Sequence, residues 1–112
     1  MILPFYDCLP ESNGRQHELL EVDRVYRLDF DRFTKVDWDN LMDIYRSLPG
    51  WIPTDDLPRW FRRDEEQPPF LSASVEPPGL QVSGQLVRGE WEAWDRQFRA
   101  SASALPQLPS VE

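Results

Sequence analysis

The chain has 112 residues, enough for one domain that folds without covalent staples. Its 40% hydrophobic content, with five Trp, six Phe and three Tyr, excludes a disordered chain. Twenty Asp and Glu against twelve Lys and Arg leave a formal charge of −8, a balance that repels nucleic-acid backbone and anionic lipid and attracts basic partners.

The first segment, MILPFYDCLPE, is apolar but has no basic residues ahead of it, and Pro4, Asp7 and Pro10 interrupt it. It does not read as a signal peptide. No apolar run approaches the roughly 18 residues of a membrane span. Cys8 is the only cysteine, so no disulfide forms within the chain and a cytoplasmic setting is expected. Ser12-Asn13-Gly14-Arg15 is a hairpin signal, because Asn and Gly tolerate positive φ. Residues 2–9 and 17–22 would be its two arms. Pro4 and Pro10 cannot donate to a ladder, so the first arm should lie at a sheet edge.

Residues 19–30 suit a strand or a helix. Leu20, Val22, Tyr26, Leu28 and Phe30 share one parity, and Arg24 breaks the series. A helix would group Leu19, Val22 and Tyr26. Val, Tyr and Phe prefer pleated surfaces, so residues 24–30 are expected as strand.

Residues 31–48 carry a helical pattern. Thr34-Lys-Val-Asp37 resembles a capping box with Asp in place of Glu. Trp38, Leu41, Met42, Tyr45 and Leu48 then fall on one face. Pro49-Gly50 ends the element.

Residues 51–69, WIPTDDLPRWFRRDEEQPP, hold four prolines and show no period. This Pro-rich acidic stretch is expected as a loop, with at most a helical turn over 57–61. Long loops in compact domains are often functional. Trp51, Asp55, Asp56, Trp60, Arg62, Arg63, Asp64, Glu65 and Glu66 are therefore the candidate partner-binding residues, since interfaces favour Trp and Arg anchors. The alternative is that the two Trp only pin the loop to the domain.

Residues 70–87 read as a second hairpin turning at Glu76-Pro77-Pro78-Gly79. Leu71, Ala73 and Val75 alternate on one arm, and Leu80, Val82 and Leu86 on the other. Gly84 falls on the apolar parity, which marks a bulge or a close approach. Residues 90–105 read as the second helix, with Gly89 as N-cap and Trp91, Trp94, Phe98 and Leu105 as the apolar face. Glu92–Arg96 and Asp95–Arg99 have ion-pair spacing. The tail over 107–112 is expected to fray.

The expected fold class is α+β, in one domain over residues 1–106: a small antiparallel sheet of two hairpins with two amphipathic helices on one face. Chemistry is sparse. His17 is the only histidine, so His-dependent catalysis and His-rich metal sites are disfavoured. Asp29-Phe-Asp31 and Asp37-Trp-Asp39 lack the further ligands a calcium loop requires. No nucleotide-binding or nucleophile-elbow motif occurs. No cofactor or metal is expected, and the chain is read as non-catalytic.

The stretches SVEPPGLQVSGQL and EWEAWDRQF, within residues 74–98, resemble small bacterial proteins of this length. In overall character the chain resembles the immunity proteins of bacterial toxin systems, which are small, acidic, cysteine-poor α+β proteins. That resemblance implies a cytoplasmic inhibitor that blocks a cognate toxin by occluding a basic surface. An adaptor or effector-chaperone module is the alternative, followed by a small-ligand binder or carboxylate enzyme. The resemblance carries over no functional residue, because immunity proteins share no common motif.

Overall fold

A computed structural model describes residues 3–7, 19–53, 57–62 and 67–108. The chain is mixed α+β: the described residues form a six-stranded antiparallel sheet with two α-helices. The strands are β1 (Phe5–Asp7), β2 (Leu19–Tyr26), β3 (Trp51–Ile52), β4 (Arg59–Trp60), β5 (Phe70–Glu76) and β6 (Gly79–Val87). They lie in the order β1-β2-β6-β5-β4-β3. A short 3-10 helix (Phe30–Arg32) leads into α1 (Lys35–Ser47), and β6 runs directly into α2 (Arg88–Ala102).

The register explains where the core lies. Leu20 pairs with Leu86, Val22 with Gly84, Arg24 with Val82 and Tyr26 with Leu80. Across the next ladder Leu71 pairs with Gly84 and Ala73 with Val82, and Trp60 pairs with Leu71. Strand side chains alternate between faces, so these residues share one side of the sheet. Their apolar members cluster with Leu41, Tyr45 and Leu48 around α1 and with Trp91, Trp94, Phe98 and Ala102 of α2. The opposite parity is mainly polar, with Glu21, Asp23, Gln81, Ser83 and Gln85, and Gln81 donates to Asp23 at 2.8 Å; Val25 is its buried apolar member. Burial of one face and hydration of the other fixes the register, because a one-residue slip would exchange them.

Several boundaries differ from expectation. β2 starts at Leu19 and ends at Tyr26, earlier than the strand expected over 24–30. Leu28 forms an isolated bridge with Gln107, and Phe30 begins the 3-10 helix. If Asn13 and Gly14 were the central pair of a tight turn with an unbroken ladder, Phe5 would face Val22. It faces Tyr26 instead, a shift of four residues. The turn itself lies outside the described residues. β1 does occupy a sheet edge. The stretch over 51–69 is not a loop throughout. Arg59–Trp60 is strand where a helical turn was considered, because the ladder to β5 lets Trp60 enter the core.

The helix ends follow the chemistry at the first helix more closely than at the second. Thr34 caps α1: its hydroxyl accepts from the Asp37 amide at 3.2 Å, and Asp37 accepts from the Thr34 amide at 2.9 Å. This reciprocal pairing satisfies donors that a helix start leaves orphaned. At α2 the N-cap is Val87, without a side-chain bond, and Gly89 lies inside the first turn. Glu92 meets Arg88 at 3.7 Å. Residues 107 and 108, expected to fray, are held: the Leu108 amide donates to the Arg27 carbonyl at 2.8 Å, and the Asp29 amide donates to Pro106 at 2.9 Å.

Candidate functional site

The sequence-predicted site residues separate into three groups. Asp55, Asp56, Arg63, Asp64, Glu65 and Glu66 lie outside the described residues, as do Cys8 and His17. Trp60 is fully buried, which corrects its reading as an interface anchor. Its indole Nε1 donates to the Tyr45 carbonyl at 3.1 Å, and its ring meets Tyr45, Trp51 and Trp94 edge-on. A buried Trp with its N–H satisfied and three aromatic neighbours is a core pillar. Trp51 is half-buried and packs on Trp60. Arg62 is exposed.

The chain leaves the core between these groups by a sharp turn. Phe61 has φ of 75°, and the Arg62 amide donates to the Trp60 carbonyl at 3.0 Å. That is the geometry of a γ-turn with positive φ, which strains a non-glycine residue. Phe61 compensates by donating its amide to Gly50 at 2.7 Å and by packing its ring over that glycine.

A second surface was not singled out by the sequence. Phe30, Phe33 and Trp38 form a compact aromatic cluster: Phe30 stacks on Trp38 at 5.2 Å with an 8° interplanar angle, and Phe33 tilts against both. Trp38 and Met42, expected in the core, are 38% and 36% exposed, and Val36 is 64% exposed. The true buried stripe of α1 is Leu41 and Tyr45, continued by Leu48. Trp38 and Met42 fall beside that stripe, and the short 3-10 helix supplies Trp38 with partners. Between residues 29 and 43 five Asp stand against Arg32 and Lys35.

A cleft of about 410 Å³ adjoins this cluster through Phe30. Its apolar lining includes Leu28, Val75 and Leu108, and its polar lining is Asp29, Asp31 and Glu76. Val75 keeps the inward parity of β5, opposite Leu80, yet is 49% exposed because it borders this cleft. Asp29 stands at the N-cap of the 3-10 helix without bonding to it through its side chain. The expected weak D-x-D pattern at 29 and 31 thus has a location. Among the described residues no group of three His, Cys, Asp or Glu is arranged to hold a metal ion. No described helix is long and apolar enough to cross a membrane.

The chain matches no protein-family model, no curated protein and no solved structure in these comparisons.

Proposed function

We propose that this is a non-catalytic protein-binding protein of the immunity type: a cytoplasmic inhibitor that neutralises a cognate bacterial toxin by covering a basic surface. The observation that carries this reading is the exposure of Trp38 and Met42 beside the half-buried rings of Phe30 and Phe33, in a stretch with five Asp over residues 29–43. In this reading two hairpins with both helices on one sheet face form the scaffold, and the start of α1 presents the contact surface.

The physics favours a basic partner over self-association. Two copies, each near −8, would bring like charges together at this face, and like-charge juxtaposition disfavours an interface. A cationic surface gains apolar contact with Trp38 and Met42 while the carboxylates accelerate encounter.

The test is co-expression with the product of the neighbouring gene. The reading expects that product to arrest growth when expressed alone, this chain to restore growth, and Met42→Glu to abolish the rescue while the protein stays folded. A partner that binds but is harmless alone makes the chain an adaptor or effector chaperone. A stable complex that leaves a toxic partner fully active overturns the inhibitor reading.

A further inference from the structure

We infer that the cleft bounded by Asp29, Asp31 and Glu76 receives an arginine side chain from an apolar segment of the protein partner. This inference rests on the binding-protein reading above and assigns it a chemical group.

The cleft is an open surface depression of about 410 Å³. Its lining contains three carboxylates and no basic residue. Phe30 contributes an aromatic ring, and Leu28, Val75 and Leu108 contribute aliphatic surface. A guanidinium meets all of these demands. It pairs with carboxylates through several donors, it packs on aromatic groups, and its methylene stem covers aliphatic surface.

A divalent ion fits poorly. It needs several oxygens converging within one coordination sphere, and no such group occurs among the described residues. Carboxylates spread around one cleft suit a cation that is itself spread out. A compact ammonium offers only a point charge to the same walls.

The cleft is also held in shape before any partner arrives. Leu28 bridges to Gln107, the Asp29 amide donates to Pro106, and the Leu108 amide donates to Arg27. One wall is therefore pinned to the C-terminal segment. The other is the end of the β5–β6 ladder, where Glu76 pairs with Gly79. Stacking on Trp38 fixes the Phe30 ring. Walls held in this way lower the ordering cost of binding.

The experiment titrates the isotopically labelled protein with acetyl-Leu-Arg-Leu-amide and with its citrulline counterpart, following backbone amides by NMR. Citrulline keeps the shape of arginine and removes its charge. Saturable shifts centred on residues 28–31, 75–77 and 108 are expected with the arginine peptide. The citrulline peptide, and the arginine peptide against Asp29→Asn/Glu76→Gln, should each bind about fivefold or more weakly. Val75→Arg, at an exposed position, should abolish the shifts while the remaining spectrum stays native. No saturable shift up to about 10 mM peptide, equal binding of citrulline, or shifts centred elsewhere overturns the assignment. The two readings fail separately. A partner that binds Asp29→Asn/Glu76→Gln with unchanged affinity removes the cleft and leaves the inhibitor reading standing. Peptide binding in the cleft, alongside a partner that is never inhibited, does the reverse.

Discussion

Arg24 and Asp95, 71 residues apart in sequence, meet at 2.7 Å between Nη1 and Oδ1 with only about a tenth of either side chain exposed. The same Oδ1 accepts from the Tyr26 hydroxyl at 2.6 Å, and the other carboxylate oxygen accepts from Arg99 at 3.1 Å. The Arg24 guanidinium lies 3.6 Å over the Phe5 ring and 4.9 Å from Trp91. One carboxylate thus ties β2 to α2, and the cation it pairs with holds the edge strand β1 through Phe5.

Removing one member strands the other in a low-dielectric site. Asp95→Ala should cost about 3–5 kcal/mol in urea unfolding, as for other broken buried pairs. Arg24→Leu/Asp95→Leu should cost clearly less than the sum of its single changes, because the double change leaves no unpaired charge in the Arg24–Asp95 pair. Strict additivity would show that the pair contributes no coupling.

This network also marks the limit of what the sequence makes legible. Arg24 interrupts an otherwise apolar parity, and nothing in its neighbourhood says what its charge meets. Its partner is supplied by α2, and no local pattern announces a contact 71 residues away. Asp95 is similarly masked, since its i,i+4 spacing to Arg99 suggests a surface pair. Where local chemistry is sufficient, the reading succeeds: Thr34 and Asp37 form the expected capping box. The apolar parity of β6 and the Trp91–Trp94–Phe98 face likewise emerge from periodicity alone. Trp60 fails for the opposite reason. Its prolines and charged neighbours suggest an exposed loop, and only the β4–β5 ladder turns it inward.

Alkaline pH should weaken the fold through two phenols. Burial pushes the Tyr26 hydroxyl well above its ordinary value of 10.0, with the neighbouring Asp95 carboxylate adding to the shift and Arg24 opposing it. Burial alone raises Tyr45. A raised phenol contributes its stability in full below the unfolded value near 10. That contribution is lost as pH rises above it, because the unfolded chain ionises first. Each should remove about 1.4 kcal/mol per pH unit above 10. Urea unfolding at successive pH values should therefore steepen above pH 10, and Tyr45→Phe should roughly halve that slope. An unchanged slope would show that Tyr45 ionises freely in the fold.

Gly84 should not tolerate a methyl group. It sits between Val22 and Leu71 in adjacent ladders. An added Cβ would collide with the Phe70 carbonyl oxygen and lie 2.9 Å from the Leu71 Cα. Both obstacles are backbone, which a rotamer change cannot move. Gly to Ala in a strand interior ordinarily gains about 0.5–1 kcal/mol. Gly84→Ala should instead destabilise by about 1–3 kcal/mol, measured by thermal and urea unfolding. The continuous register on both sides shows why the residue is small: it permits close approach and does not mark a bulge.

If the start of α1 is the contact surface proposed above, charge and apolar contact should separate kinetically. Asp39 and Met42 are both exposed on α1, so neither change should alter folding stability by more than about 0.5 kcal/mol. Asp39→Lys alters the field that a basic partner meets during approach. It should slow association several-fold and flatten its salt dependence, with little change in dissociation. Met42→Glu places a charge against desolvated apolar surface, so it should act mainly on dissociation and weaken the complex about tenfold or more. Rapid-mixing or surface-capture kinetics with the neighbouring gene product at two ionic strengths distinguishes the two effects. If both variants bind as the wild type does, the aromatic face of α1 is not the working surface. The acidic segment between Trp51 and Glu66 would then be the candidate surface.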